Sequence, residues 1–330
     1  MTNRSKMILP HQKAVWRLGQ ITWNYWVRKR IVVPYAPYRL WIEPTNRCNL
    51  VCVMCPNQRL QKETLGFMDF DLYRSLIDQA AAAVHDVNLH HRGESTLHSR
   101  LADMIRYADD RGVKVKLHTN GTTLNDGLSE ALIRSGLRLI SFSFDGYTTD
   151  AYESIRVGAK FESTLEKIRR FIELKRELRF KGPRTAVEIM EFKERPSDPE
   201  AKQRLLGRLK TWGVDRIIVK RPHNWAGNMN LDTFETDAFS PCTFPWHALV
   251  VLWDGRVGSC PHDFFAEIVY GDARNTPLAE LFNGPRIQEL RSNMLQKRME
   301  ELDSPCRTCD SVRRKKASGI PLASLKYLRD

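Results

Sequence analysis

Cys48-Asn49-Leu50-Val51-Cys52-Val53-Met54-Cys55-Pro56 is the stretch on which the reading of this chain turns. Three thiols fall within eight residues, spaced C-x3-C-x2-C, directly after a short β-prone run at 40–44. A loop of this length brings three sulfurs to three irons of a cubane and leaves the fourth iron open. Zinc prefers four closed ligands in paired C-x2-C knuckles, and no nearby His or Cys completes such a set. Buried structural cysteines have no reason to share one loop at the end of a strand.

Outward from this loop, β-prone runs at 40–44, 86–90, 113–118, 139–144, 185–192 and 216–220 alternate with amphipathic stretches at 72–84, 97–110, 128–135, 161–178 and 199–212. Gly112, Gly136 and Gly213 stand where helices should end. Six such units are too few for an eight-stranded barrel. The expected fold is therefore α/β: a partial (β/α)6 TIM-like barrel, open on one side, with its site at the strands' C-terminal ends. After about residue 224 the rhythm changes. Runs at 248–253 and 256–259 flank Asp254-Gly255, a hairpin signal, and helical stretches follow at 278–282 and 285–299, predicting a small α+β domain. The divisions are an arm over 1–38, the barrel over 39–235, the second domain over 236–312 and a tail over 313–330.

The second domain holds the other four cysteines, Cys242, Cys260, Cys306 and Cys309, enough to close a four-iron cluster with no iron open or to hold a structural zinc. Seven clustered cysteines argue for metal ligation rather than a disulfide framework. No run of 18 apolar residues and no signal-peptide pattern occurs, so a cytoplasmic protein is expected. The net charge of +13 sits at the ends: residues 1–42 carry eight Lys or Arg and no acid, and residues 312–330 carry six against one. The body between them is neutral, which leaves no excess to hold a nucleic-acid backbone. In the arm, Trp16, Trp23, Tyr25 and Trp26 lie among Arg17, Arg28, Lys29 and Arg30. Such a pattern suits either weak contact of residues 1–30 with an anionic membrane surface or packing on the barrel's open edge or bottom.

The three-cysteine loop resembles the defining motif of the radical S-adenosylmethionine superfamily, placed as in that family after the first strand of a partial barrel. The resemblance implies a [4Fe-4S] cluster on Cys48, Cys52 and Cys55 whose open iron chelates S-adenosylmethionine, and reductive cleavage to a 5′-deoxyadenosyl radical that abstracts hydrogen. Arg92-Gly93-Glu94-Ser95 resembles the family's Gly-Gly-Glu-Pro turn, departing at Arg92 and Ser95 and implying ligand contacts from Gly93 and Glu94. Thr119-Asn120-Gly121 and the segment containing Ser143 and Asp145 resemble further ligand-binding segments. Arg156 resembles the Arg that pairs with the methionine carboxylate, and Met54 stands at a position that can lie over the adenine. The Cys242, Cys260, Cys306 and Cys309 spacing is similar to the short Twitch form of the SPASM domain, implying a second, auxiliary [4Fe-4S] cluster.

A fully ligated second cluster cannot bind substrate at iron, so it is read as an electron acceptor, conduit or clamp. The first functional expectation is dehydrogenation of a small carbohydrate or cyclitol alcohol, with His223 as proton acceptor and Arg221 as substrate contact, and with flavodoxin or ferredoxin as electron donor. His90, His91, His118, Lys220 and Asn224 are further strand-end candidates. The alternatives are a peptide-modifying maturase and a non-catalytic zinc-stabilised binding module.

Overall fold

The computed structural model describes residues 10–313 apart from 82, 196, 231–235 and 237, together with 316–317 and 320–321. The first nine residues and most of the basic tail lie outside this set.

Six strands, β1 (Arg39–Ile42), β2 (Asp86–Asn88), β3 (Lys114–Thr119), β4 (Leu139–Ser143), β5 (Arg184–Met190) and β6 (Arg216–Lys220), pair in parallel and in chain order. Helices α2 (Phe70–Ala80), α3 (Leu101–Asp109), α4 (Asp126–Arg134), α5 (Thr149–Ile155), α6 (Phe161–Glu177) and α7 (Pro199–Trp212) fill the crossovers, after α1 (Pro10–Thr22) in the arm. Period-2 alternation decides which face each side chain serves. Leu40, Ile42, Val87, Val115, Leu117, Ile140, Phe142, Val187 and Ile189 join the helices' Tyr73, Leu76, Met104, Leu132 and Ile168 in one core. Each such side chain contributes about 1.5–3 kcal/mol by leaving water. The alternate positions, among them Asp86, Asn88, His118, Ser141, Glu188 and Lys220, line the other face, the lumen of a partial barrel.

Local signals place the helix ends. Asp69 accepts from the amides of Asp71 and Leu72 to cap α2, and Asn125 accepts from Leu128 to cap α4. Helix α7 begins with the Asp198 cap and Pro199 and ends at Gly213, whose φ of 86° favours glycine.

The second domain extends this same sheet. Strand β7 (Ala248–Val251) pairs in parallel with the free edge of β1, Arg39 opposite Ala248 and Ile42 opposite Val251. β8 (Arg256–Gly258) returns through the expected hairpin, and β9 (Val269–Asp272), absent from the sequence reading, adds an antiparallel edge. The order is thus β9-β8-β7-β1-β2-β3-β4-β5-β6. An open barrel leaves the main-chain groups of β1 needing partners, and the hairpin supplies them. Helices α8 (Leu278–Leu281), α9 (Pro285–Gln296) and α10 (Ser304–Arg307) complete the domain.

The arm docks on this second domain, which corrects the expectation that it packs on the barrel's open edge or bottom. The Tyr25 ring meets Trp246 edge-on at 4.9 Å, and its hydroxyl donates to the Pro241 carbonyl at 3.0 Å. Arg291 on α9 is wholly buried and donates to the carbonyls of Ile31 (2.7 Å), Pro245 (2.9 and 2.8 Å) and Phe282 (2.8 Å). Only part of the aromatic content is used in this way: Tyr25 is buried, whereas Trp16, Trp23 and Trp26 face solvent.

Candidate active site

The three-cysteine loop is held on every side. Val51–Cys52 bridges antiparallel to Arg156–Val157, and Cys55 N donates to Cys52 O at 3.1 Å to form a turn. Beneath it, the bidentate pair of buried Arg92 with buried Glu43, both contacts at 2.7 Å, ties the β2 loop to the end of β1. This explains Arg92's departure from the resembled turn: it serves as an internal brace. Gly93 lies so close to the first loop that a Cβ would meet Arg47 O at 2.4 Å and Thr45 O at 2.5 Å, so no other residue fits.

Glu94 gathers the next loop. Its carboxylate accepts from Thr96 N (3.1 Å), Thr96 Oγ1 (2.6 Å), Thr119 Oγ1 (2.8 Å) and Asn120 N (2.7 Å), about the full capacity of a carboxylate. Asn120 in turn donates to Asn49 Oδ1 inside the cysteine loop at 3.0 Å. On the opposite side, Arg156 grips Asp145 Oδ2 at 2.9 and 2.6 Å and lies 3.9 Å from Cys52 Sγ. Ser143 is half-buried at the end of β4, and Met54 is buried with its carbonyl accepting from Trp225 Nε1 at 2.8 Å.

None of the seven cysteines forms a disulfide. Burial pushes the Cys48 thiol up to about 11 and Cys55 up to about 12. Three sulfurs on one loop with a guanidinium alongside fit an anionic thiolate–metal group, whose positive centre displaces the protons that burial retains. This set would hold the first cluster.

The lumen below carries a polar constellation that the sequence reading only partly found. Glu188 accepts from Ser141 Oγ at 3.0 Å, ion-pairs with Lys220, and has His118 Nδ1 at 3.4 Å. The His90 ring lies 4.1 Å from that of His118. Burial opposes charge on Glu188, yet His118, Lys220 and Ser141 hold its carboxyl low, at about 2. Burial also keeps His118 and His90 below the usual imidazole range. The chamber therefore combines a fixed carboxylate with neutral imidazoles. Among the described residues Asn88 Nδ2, His90 Nδ1 and His91 Nε2 are buried without hydrogen-bond partners, a state that calls for a ligand or water. Glu188 and Ser141 were missed; the available signal was alternation within each strand, Ser141 standing between the core residues Ile140 and Phe142, and Glu188 between Val187 and Ile189.

Cys242, Cys260, Cys306 and Cys309 line one cavity together with His262 and Asp263. Burial first, then the neighbouring sulfurs, pushes Cys260 and Cys306 well above the usual thiol range. Four such groups in one cavity fit a bound cationic metal centre and would hold the second cluster. His262, also missed, lies 3.8 Å from Cys309 Sγ and 3.1 Å from Ser311 Oγ. His223 stacks on His262 with centroids 4.3 Å apart and 3° between planes, so it stands against the second cysteine set. Arg221 is exposed at the end of β6. Residues 224–228 join the two sets: Asn224 Nδ2 donates to Thr308 O at 2.7 Å, while Asn228 O accepts from Arg59 at 2.8 Å.

Comparison with known proteins agrees with this arrangement. Residues 42–185 match the radical SAM superfamily, and residues 242–310 match the SPASM family, described as an iron–sulfur cluster-binding domain. A tungsten-containing aldehyde ferredoxin oxidoreductase cofactor-modifying protein of Pyrococcus furiosus is 34% identical over 256 residues, 67% of this chain and 70% of the relative. The PqqA peptide cyclase of Gluconobacter oxydans is 23% identical over 319 residues, 86% of each chain. An AdoMet-dependent heme synthase of Methanosarcina barkeri is 30% identical over a shorter region, 42% of this chain and only 40% of the relative. Among solved structures, Streptococcus suis SuiB bound to the precursor peptide SuiA shares the fold at TM-score 0.66 and 12% identity, over 97% of this chain and 82% of that one. BtrN in complex with AdoMet and 2-DOIA does so at TM-score 0.57 and 17% identity, over 83% and 92%.

Proposed function

Since the chain belongs to the radical S-adenosylmethionine superfamily and carries a C-terminal SPASM-type iron–sulfur domain, we propose that it oxidatively modifies a peptide side chain held in the barrel lumen. When bound, a [4Fe-4S] cluster on Cys48, Cys52 and Cys55 would supply the electron that cleaves S-adenosylmethionine to methionine and a 5′-deoxyadenosyl radical, and a second on the other four cysteines would supply an electron acceptor. The observation that carries the peptide reading is similarity to a peptide cyclase over 86% of both chains.

In this reading, Gly93, Glu94 and Asn120 keep the β2 and β3 loops in register with the cysteine loop. Arg156, fixed by Asp145, presents its cation to that loop and to the methionine carboxylate. Met54 and Ser143 border the remaining ligand surface. His118, held by Glu188, accepts the proton lost as the substrate is oxidised, and Lys220 keeps Glu188 ionised and in place. His223 and Arg221 serve at the mouth, His223 where the lumen meets the second cysteine set. Dehydrogenation of a carbohydrate or cyclitol alcohol is the second reading, favoured by the same His118–Glu188 pair, which suits removal of a hydroxyl proton.

The test is to incubate the anaerobically reconstituted protein with S-adenosylmethionine, reduced flavodoxin or ferredoxin, and either candidate peptides or cyclitols. A peptide that stimulates 5′-deoxyadenosine release and loses two mass units supports the first reading. Ketone formed in equal amount with deoxyadenosine from a cyclitol, with no peptide active, replaces it with the second.

A further inference from the structure

The side of the arm turned away from the second domain has no use in either reading. Trp16 is 62% exposed, Trp23 52%, Trp26 36% and Val27 58%. These residues lie on α1 and on the π-helical turn Trp23–Val27 that continues it. Trp16 and Trp23, seven residues apart, fall within about 20° of each other on a helix. The opposite side is the anchored one: Asn24 and Tyr25 are buried, and Tyr25 is fixed by Trp246 and Pro241. The result is an apolar stripe on the solvent side of an anchored segment.

Cations border the stripe. Arg28, Lys29 and Arg30 follow it directly, the Arg28 guanidinium lies 5.9 Å from the Trp23 ring centre, and the first 42 residues contain no acid. Among the described residues no carboxylate pairs with these three side chains. We infer that this face docks on an anionic lipid bilayer, with α1 lying in the plane of the surface, the Trp rings at headgroup depth and the cations on lipid phosphates. Trp has the apolar body and N–H that suit that depth, and an apolar stripe flanked by unpaired cations suits an anionic surface. A nucleic-acid strand would need a charged groove, and the body of the chain is neutral. No helix among the described residues is long and apolar enough to cross a membrane, consistent with a helix that lies on one. The inference is independent of the substrate reading.

The test is co-sedimentation of the full-length reconstituted protein with phosphatidylcholine vesicles, with and without about one-third phosphatidylglycerol, the ordinary range for detecting surface charge. Two variants are compared: Trp16→Ser/Trp23→Ser/Val27→Ser and Arg28→Gln/Lys29→Gln/Arg30→Gln. The substituted side chains are at the surface, and unchanged iron content and thermal midpoint verify folding. The expected result is roughly tenfold more protein on anionic than on neutral vesicles, a comparable loss in each variant, and release at high salt. Equal recovery on both vesicle types, no recovery, or anionic binding indifferent to both variants would overturn the inference. So would self-association without vesicles that the Trp variant abolishes, because the face would then meet a second copy of the chain.

Discussion

The two cysteine sets solve the same chemical problem in opposite ways. Cys48, Cys52 and Cys55 share one loop, braced by neighbours such as Gly93 and Arg156, so most of the first site is assembled by the barrel itself. The second set is scattered from Cys242 to Cys309 and converges only once the β7–β8 hairpin, α9, α10 and the docked arm are in place. A local site tolerates distant damage, whereas a dispersed one reports on the packing of the whole domain.

Removing ligands gives the largest effect. We expect about eight irons per chain after reconstitution, falling to about four in either a Cys48/Cys52/Cys55→Ala or a Cys306/Cys309→Ala variant. The first should abolish deoxyadenosine formation. The second should leave slow cleavage without product, and a normal product yield from it would refute the acceptor role. Next comes the lumen. Glu188→Gln and His118→Ala should each lower kcat by about 100-fold or more while leaving the iron content of both sites intact, checked by steady-state deoxyadenosine release.

The dispersed site should then fail selectively. Arg291→Met leaves the buried carbonyls of Pro245 and Phe282 and the half-buried one of Ile31 short of a donor and should cost about 2–4 kcal/mol, read from denaturant unfolding, with iron lost from the second site before the first. Acid should act in the same direction. Burial lowers His91 and His247 to about 4. The unfolded chain takes up protons near 6.5, so stability falls as pH drops from about 6.5 to about 4. A thermal midpoint flat across that interval would contradict the sign, and His247→Gln should reduce the slope. The smallest effect belongs to Trp225→Phe, which removes the hydrogen bond to Met54 O and should cost about 1 kcal/mol.

Local signals made much of the fold legible. Asp198, Pro199 and Gly213 place α7 at its observed bounds, and Asp254-Gly255 places the hairpin. The cysteine loop was legible for the same reason: its chemistry is contiguous. What sequence reading missed is non-local. Tyr25 reaches Pro241 across 216 residues, and β7 pairs with β1, contacts that leave no periodic trace. Glu188 looked like one polar residue in an apolar strand, because its partners Ser141, His118 and Lys220 come from three other strands.

Strand β1 has one further implication. It is hydrogen-bonded to β2 on one edge and to β7 on the other, so the two halves of the molecule are built on a common spine. Parting the two halves would strip main-chain hydrogen bonds from one edge of β1 and leave those groups without partners. A hinge between them would therefore have to break the β1–β7 ladder, whereas the loops at the strand ends are free of that constraint.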